Sequence, residues 1–176
     1  GLYSLTAIKA NSKNNVISIE PYFMNLSRLI TNLRLNNIYK NVTTIMGAIS
    51  DFDGKSKFNI TTEKSYMSKG GKISDHGLDI DVYQLDSLYS KTTDKEIKGI
   101  KIDTEGEDYK VLKGSQKIIE KYKPEIIIEV REENKILIGN FLNKYSYRFF
   151  DVLDLKKELN LQNYKIKNII NLYAKV

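Results

Sequence analysis

The stretch KIDTEGEDYK, residues 101–110, joins the end of an apolar segment to a cluster of four acids. Ile97 and Ile100 precede the acids, and apolar residues recur at helical spacing after them, at Val111, Leu112 and Ile118. The acids therefore lie where a strand turns into a helix. Open α/β sheets bind their ligands at such turns, beyond the carboxyl ends of the strands. The stretch predicts an α/β fold with a functional site at this turn.

Two acids of this stretch, Asp103 and Glu105, are expected to be functional. Asp103 projects from the carboxyl edge of the predicted strand 99–103, and Glu105 lies in the turn that follows it. Glu107 and Asp108 fall in the first helical turn, where the helix dipole stabilises negative charge. The last two acids therefore need no functional explanation, whereas Asp103 and Glu105 lie where a substrate or metal would bind.

Lys101 is unusual because it lies in the middle of a strand that should be apolar on both faces. A lysine in that position must extend its ammonium to water or pair with a carboxylate. Glu129 lies near the end of the strand predicted at 125–130. We expect an ion pair between Lys101 and Glu129, behind Asp103.

Strands and helices alternate along the rest of the chain. Strands are predicted at 16–20, 42–48, 57–60, 80–83, 125–130, 147–152 and 169–176, with helices at 2–10, 23–36, 107–122 and 134–144. This alternation favours a mainly parallel sheet with helices on both faces, closed by an antiparallel pair of strands at the C-terminal edge. A chain of 176 residues suits a single domain, residues 1–176.

Composition excludes several classes of function. The net charge of +6 comes from scattered lysines, without the arginine cluster or basic stripe that binds a nucleic-acid backbone. The absence of cysteine excludes disulfides, thiolate catalysis and cysteine metal sites, and it fits a cytoplasmic protein. No apolar run approaches the ~20 residues of a membrane span. We expect neither a nucleic acid nor a membrane as a partner.

Glu20 is the first candidate for binding a cofactor. It ends the apolar run VISIE, residues 16–20, and Pro21 follows it. A carboxylate at the carboxyl end of a parallel strand can accept both hydroxyls of a ribose, and Gly1 lies at the spacing of the glycine turn in dinucleotide folds, roughly twenty residues upstream. We interpret Glu20 as a ribose ligand; the alternative is that it only solvates a strand end.

His76 is the only histidine of the chain, in the segment SDHG, residues 74–77. This segment belongs to a long polar stretch, residues 61–78, which we expect to be structureless. Histidine is a common general base at neutral pH, although an exposed loop histidine is usually inert. The chain has no nucleophile elbow, Walker loop, HExxH motif or paired metal-histidine spacing, so hydrolase and triphosphatase functions lack support.

The chain resembles the FkbM family of S-adenosylmethionine-dependent methyltransferases in a series of segments, with matching order and spacing: GLYSLTAIK, VISIEPYFMNLSRLITNLRLNN, AISDFDG, LDIDVYQLDSL, IKGIKIDTEGEDYKVLKGS and KPEIIIEV. The resemblance covers nearly the whole chain. It implies a three-layer, Rossmann-like class I methyltransferase that methylates a hydroxyl of a sugar or secondary metabolite. A small-molecule or saccharide acceptor is the partner it implies.

The resemblance also implies roles for individual residues. Gly1 would lie under the methionine part of the cofactor, Glu20 would hold the ribose, and Asp103 would lie beside the sulfonium and the acceptor hydroxyl. The full set of implied cofactor-binding residues is Gly1, Glu20, Pro21, Ala48, Ile49, Ser50 and Asp103, of which Ala48, Ile49 and Ser50 would border the adenine.

The sequence departs from the family pattern at its start. The first strand and the Asp-x-Gly-Ala-Asn part of the glycine turn are absent, and the chain begins without methionine. We therefore expect a piece of a longer protein. The missing strand would occupy the middle of the sheet, so we expect the chain as given to bind S-adenosylmethionine weakly or not at all.

Several alternatives stay open at the level of sequence. The proton of an acceptor hydroxyl could pass to Asp103, Glu129 or His76, or a divalent cation held by Asp103 and Glu105 could activate the hydroxyl. A nicotinamide-dependent oxidoreductase shares the acid that ends the second strand. An inactive binding module with the same fold is the non-enzyme alternative. The acceptor and the oligomeric state cannot be read from the residues.

Overall fold

The computed structural model of this protein describes residues 1–60, 71–93 and 95–176, which form a mixed α/β fold. The chain divides into two compact units. The first comprises Gly1–Ala48 and Gly54–Val82, and the second comprises Ile49–Asp53 and Tyr83–Val176. The single domain predicted over residues 1–176 stays a prediction. None of the helices in the described residues is long and apolar enough to cross a membrane.

The first unit begins with two helices and two parallel strands: α1 (Leu2–Ala10), β1 (Val16–Glu20), α2 (Phe23–Leu35) and β2 (Val42–Met46). These bounds confirm the predicted elements at 2–10, 16–20 and 23–36. The helices bury one apolar side each, where Ile8, Leu29 and Leu33 pack with Val42 of β2. This packing fixes β1 and β2 with their carboxyl ends at the same edge, because the two strands are parallel.

Four short strands follow in the chain: β3 (Ala48–Ile49), β4 (Gly54–Ile60), β5 (Gly71–Ser74) and β6 (Leu78–Tyr83). They lie in the order β3-β6-β4-β5, and β4 runs antiparallel to both β5 and β6. The prediction that residues 61–78 are structureless was wrong at β5, which pairs with β4. Residues 61–70 of that stretch lie outside the described residues.

The second unit contains the remaining elements: α3 (Leu85–Thr92), β7 (Gly99–Ile102), α4 (Asp108–Lys113), α5 (Gln116–Tyr122), β8 (Glu125–Arg131), α6 (Lys135–Asn143), β9 (Arg148–Asp151), β10 (Asp154–Leu159) and β11 (Ile169–Lys175). The single helix predicted at 107–122 is two helices in the structure, because the helical conformation is interrupted at Gly114 and Ser115. There the carbonyl of Gly114 accepts the backbone N–H of Asp86, and the Asp86 carboxylate accepts two backbone N–H groups at the start of α5.

The sheet of the second unit has the strand order β10-β9-β11-β8-β7. Only β7 and β8 are parallel in it; β11 is antiparallel to β8 and β9, and β10 is antiparallel to β9. The predicted antiparallel pairing of the two closing strands is confirmed. The prediction of a mainly parallel sheet was wrong for this sheet, where a third antiparallel strand, β10, occupies the edge.

The two faces of this sheet differ in burial. On β8, Ile126, Ile128 and Val130 are fully buried and form one core with α4, α5 and α6. Alternate side chains of a strand point to opposite faces, and Ile127, Glu129 and Arg131 on the other face are only half-buried. The polar residues at the carboxyl ends of β7 and β8 lie on this half-buried face.

Candidate functional site

Glu20, in the first unit, ends β1 with its carboxylate held against the backbone. Its Oε1 accepts the N–H of Tyr22 at 2.9 Å and the side-chain amide of Asn25 at 3.5 Å. Burial raises the pKa of Glu20, while these two hydrogen bonds oppose that rise. The carboxylate is thus fixed in position at the strand end that the sequence analysis singled out.

Two more predicted residues, Pro21 and Ala48, lie at this edge. Glu20 pairs with Met46, and the Glu20 carbonyl accepts the N–H of Gly47 at 3.2 Å. Ala48 follows Gly47 directly and is buried, and Pro21 is half-buried beyond Glu20. Glu20, Pro21 and Ala48 therefore come together where the two parallel strands end.

Gly1 precedes the first turn of α1 and accepts the N–H of Leu5 with its carbonyl at 3.1 Å. A Cβ added to Gly1 would lie 2.7 Å from Cδ1 of Leu29. The helix packing at this point therefore favours a residue without a side chain.

Ile49 and Ser50 belong to the second unit. Ile49 packs against its apolar core. Ser50 is fully buried: its N–H donates to the carbonyl of Tyr83 at 3.0 Å, and its hydroxyl donates to Asp51 at 3.4 Å. The Ser50 side chain thus presents no exposed surface to a ligand in this structure. The predicted contact of these residues with adenine stays a prediction.

Asp103 follows β7 directly and has an exposed side chain that pairs with a lysine. The Lys101 ammonium donates to Oδ2 of Asp103 and to Oδ1 of Asn171, in each case at 3.2 Å. The Lys101 side chain is largely buried, so its methylene groups lie along the sheet while the ammonium reaches the strand ends. The arrangement places a cation directly on the Asp103 carboxylate.

Glu105 lies in a turn whose backbone is held by a buried acid. Glu105 and Gly106 have positive φ values of 52° and 105°. The carboxylate of Asp108, which is fully buried, accepts the N–H and hydroxyl of Thr104 at 3.0 Å each and the N–H of Gly106 at 3.2 Å. The three hydrogen bonds fix the turn, so Asp108 has a larger structural role than the helix-dipole effect predicted for it.

Arg131, the last residue of β8, links two of the predicted acids. Its Nη2 lies 2.9 Å from Oε2 of Glu105 and 2.9 Å from Oε1 of Glu129. Burial raises the pKa of Glu129; the hydrogen bond from Arg131 lowers it, and the charges of Asp103 and Asp108 raise it further. The carboxylates at the ends of β7 and β8 are thus connected through one guanidinium.

These contacts differ from the ion pair predicted between Lys101 and Glu129. The ammonium of Lys101 lies on Asp103 and Asn171, and Glu129 is bound by Arg131. The reason is geometric. Asn171 pairs with Glu129 across β8 and β11, so an amide oxygen lies within reach of Lys101, while Arg131 lies two residues from Glu129 on the same face of β8.

His76 lies in the first unit, in the turn between β5 and β6, and its side chain is 70% exposed. Its Nδ1 is 2.6 Å from the carboxylate of Asp75, and its Nε2 is 2.8 Å from the side-chain amide of Asn59. The pairing with His76 lowers the pKa of Asp75. The histidine is therefore oriented by its neighbours, and its catalytic role stays a prediction.

Within residues 1–60, 71–93 and 95–176 there is no group of three or more acids, histidines or cysteines arranged to hold a metal ion. The two acids considered for a divalent cation, Asp103 and Glu105, have Lys101 and Arg131 as their respective partners. The carboxylate oxygens that would coordinate a metal ion are therefore bound by cationic side chains.

Sequence reasoning missed Arg131, Asn171 and the bonding role of Asp108. Arg131 could have been found, because it continues the alternation of Ile127 and Glu129 on one face of a strand whose other face is apolar. Asn171 gave no such signal, since its position opposite Glu129 depends on the register of two strands far apart in sequence.

The predicted site residues therefore fall into two groups. Glu20, Pro21 and Ala48 come together in the first unit, to which Gly1 also belongs, and the acids Asp103, Glu105 and Glu129 come together in the second. That residues of both groups bind one cofactor, as the resemblance implies, stays a prediction.

Comparison with known proteins gives one family and one solved fold. The family model of the methyltransferase FkbM domain matches residues 2–166. A similar fold is found in the crystal structure of methyltransferase FkbM from Methylobacillus flagellatus KT, with a TM-score of 0.63 and 17% sequence identity. The similarity covers 99% of this chain and 40% of that one. No curated protein matches the chain.

Proposed function

Because this chain belongs to the methyltransferase FkbM domain family, we propose that it transfers the methyl group of S-adenosylmethionine to a hydroxyl oxygen of a sugar or another small hydroxylated metabolite. The family match over residues 2–166 is the observation that carries the proposal. The proposal includes a Rossmann-like, class I arrangement of the sheet and a cytoplasmic location.

The residues at the end of β1 fit the proposed cofactor. Both hydrogen bonds that fix the Glu20 carboxylate use Oε1, from Tyr22 and Asn25. A carboxylate in this position, at the carboxyl end of a parallel strand, suits the two hydroxyls of a ribose. Gly47 and Ala48, which follow at the end of β2, are small residues next to this carboxylate.

When bound, the cofactor supplies a methyl group that is already activated by the sulfonium, so the protein has to position the acceptor and help remove its proton. The acids at the ends of β7 and β8 are suited to that task. Asp103 and Glu105 have about half of their side-chain surface exposed and can accept hydrogen bonds from hydroxyl groups. Arg131 adds N–H donors beside them, and Asn171 adds a side-chain amide whose Oδ1 accepts from Lys101.

A polyhydroxylated acceptor suits this set of groups better than a phosphorylated one. The acids at this edge, Asp103, Glu105, Asp108 and Glu129, outnumber the cations Lys101 and Arg131. A phosphate or carboxylate on the acceptor would meet net negative charge there. With a neutral sugar, the carboxylates would accept hydrogen bonds from its hydroxyl groups. Side-chain N–H groups would donate hydrogen bonds to its ring and hydroxyl oxygens.

The test is methyl transfer by the full-length protein that carries this chain. The protein is incubated with S-adenosylmethionine labelled in its methyl group and with a panel of monosaccharides and methyl glycosides, each compared with its phosphorylated counterpart. We expect a mass increase of one methyl group on neutral sugars and little on the phosphorylated ones. Label found only on phosphorylated compounds would contradict the acceptor class.

A parallel titration separates this proposal from the oxidoreductase alternative. The same protein is titrated with S-adenosylhomocysteine and with NAD⁺ in a thermal-shift assay. Binding of a ligand to the folded state raises the melting temperature. We expect a shift with S-adenosylhomocysteine and none with NAD⁺; the reverse result would favour the oxidoreductase.

A further inference from the structure

The three carboxylates at the ends of β7 and β8 are not equivalent. Asp103 and Glu105 have side chains that are 45% and 47% exposed, whereas the Glu129 side chain is 13% exposed. Lys101 pairs with Asp103, and Arg131 pairs with the other two. Glu129 is therefore the least hydrated acid of the three, and Arg131 is the cation that contacts it.

Glu129 also has the neighbours that a general base needs. By register, Ile102 of β7 pairs with Ile128 of β8, so Asp103 and Glu129 are the next residues along two adjacent parallel strands. Glu129 lies on the half-buried face of β8, near the edge where open α/β sheets bind ligands. An acceptor with one hydroxyl bonded to Asp103 would thus bring a neighbouring hydroxyl close to Glu129.

Three charged groups act on the Glu129 carboxylate: Arg131 on β8, Asp103 beyond β7 and Asp108 at the start of α4. Two more charged groups lie in the same network, since Lys101 on β7 pairs with Asp103 and Glu105 in the turn pairs with Arg131. Burial raises the pKa of Glu129, and the charges of Asp103 and Asp108 act in the same direction. Arg131 opposes that rise, so it keeps the carboxylate ionised while burial keeps it basic.

We propose that Glu129 takes the proton of the acceptor hydroxyl and that Arg131 is the positioning residue that holds the Glu129 carboxylate for this step. The inference rests on the proposed methyl transfer. The acceptor oxygen forms a bond to the methyl carbon, the carbon–sulfur bond breaks with its electron pair left on sulfur, and the hydroxyl proton passes to Glu129 and then to water. Asp103, paired with Lys101, orients the acceptor by accepting a hydrogen bond from a neighbouring hydroxyl of the sugar.

The link between Arg131 and Glu129 can be tested without any acceptor. In the full-length protein with ¹³C-labelled glutamate carboxyl groups, the signal missing from Glu129→Gln identifies Glu129, and its titration is followed by NMR. We expect the pKa of Glu129 to rise in Arg131→Gln and to stay near the wild-type value in Arg131→Lys and in the control Arg148→Gln. Arg148 pairs with Glu158 in β10. An unchanged titration in Arg131→Gln would overturn the positioning role.

The role of Glu129 as the base is tested by kinetics. General base catalysis contributes roughly 10²–10⁴-fold to a rate. We expect Glu129→Gln to lower kcat/KM for methyl transfer by at least about 100-fold while the affinity for S-adenosylhomocysteine is kept. In Arg131→Gln the acid limb of the pH–rate profile should move to higher pH, with kcat at high pH largely retained.

The outcomes distinguish this inference from the function on which it rests. A wild-type protein that binds no S-adenosylhomocysteine and methylates no sugar contradicts the proposed function, and the base assignment fails with it. A wild-type protein that methylates sugars, together with a folded Glu129→Gln variant of equal kcat/KM, overturns the base assignment alone. Retained far-UV circular dichroism and retained cofactor affinity show that a variant is folded.

Discussion

The ammonium of Lys101 in β7 lies 3.2 Å from Oδ2 of Asp103, the residue that follows this strand. The lysine side chain is only 15% exposed, whereas that of Asp103 is 45% exposed. The Lys101 side chain extends from within the sheet to its edge, where its ammonium binds the Asp103 carboxylate at the end of the strand. The pair therefore orients Asp103 and also satisfies a charge that the strand would otherwise bury.

The first prediction concerns the energy of this pair. A double-mutant cycle with Lys101→Met and Asp103→Asn should give a coupling free energy of about 0.5–1 kcal/mol, because one partner is well exposed to water. Urea unfolding of the wild type, both single variants and the double variant measures it. Single-variant effects that simply add would show that the pair contributes nothing to stability.

The second prediction concerns the turn before α4. Asp108→Asn keeps the size of the side chain but places an amide group against the donors of Thr104 and Gly106, and the site is fully buried. A buried donor left without its acceptor costs about 1–3 kcal/mol, so the free energy of unfolding should fall by that amount. Asp154→Asn is the control, since Asp154 accepts one backbone N–H in exposed β10.

Urea denaturation of both variants decides this prediction. The control should change the free energy of unfolding by less than about 0.5 kcal/mol, as surface substitutions usually do. Equal effects of Asp108→Asn and Asp154→Asn would mean that the three hydrogen bonds of Asp108 do not stabilise the turn.

The third prediction concerns the break between α4 and α5. A Cβ on Gly114 would overlap the carbonyl oxygen of Ser50, whereas a Cβ on Gly99 would meet its nearest neighbour, the Glu125 carbonyl oxygen, at 3.6 Å. Gly114→Ala should therefore destabilise the protein by about 1–3 kcal/mol through overpacking. Gly99→Ala, the matched control, should change stability by less than about 0.5 kcal/mol. Thermal or urea unfolding compares them, and a neutral Gly114→Ala would contradict the packing described.

The fourth prediction concerns pH and the segment before β11. Oε1 of Glu132 accepts the Lys135 ammonium at 2.7 Å, and Oε2 accepts the N–H of Ile166 at 2.9 Å. The hydrogen bond from Lys135 is the main reason that the pKa of Glu132 lies below its usual value of 4.5. A lowered pKa in the folded state stabilises the protein above the unfolded-state pKa, and this contribution is lost as the pH falls through the folded-state pKa.

The measurement is the melting temperature of wild type and Glu132→Gln between pH 7 and pH 3. The wild type should be the more stable protein at pH 7, and the difference should shrink below about pH 4.5, where the unfolded glutamate takes up its proton. Glu133→Gln, at an exposed neighbouring position, is the control. A difference that stays constant across this range would show that the Glu132 charge does not act through these contacts.

Much of the chain could be predicted from local patterns. The bounds of α1, β1 and α2 agree with the sequence analysis to within one residue, because apolar periodicity and the flanking Pro21 and Asn36 mark them clearly. Glu20 and Asp103 lie at strand ends as predicted, for the same reason.

The missed elements have a common physical cause. β5 and β10, with the sequences GKIS and DLKKEL, are short or polar strands at sheet edges, where lysine and acid side chains face water and leave no apolar signal. The sequence analysis predicts neither strand, because the pairing partners rather than the residues themselves define them.

The side-chain partners in the site could not be predicted from the sequence. Lysine and arginine side chains reach several residues in any direction, so register and strand order decide which acid each one contacts. Lys101 meets Asp103 and Asn171 because β11 lies beside β8. The order β11-β8-β7 depends on pairings between distant segments, and no local pattern encodes it.

The most direct test of the account is calorimetric titration of the full-length protein with S-adenosylmethionine. Wild type and the control Asp81→Asn, an exposed acid of β6, should bind with the same Kd. Glu20→Ala should bind at least about tenfold more weakly, a loss of about 1.4 kcal/mol, with its fold retained by circular dichroism. Wild-type affinity in Glu20→Ala, or no binding by the wild type, would contradict the proposed methyl-donor site at the end of β1.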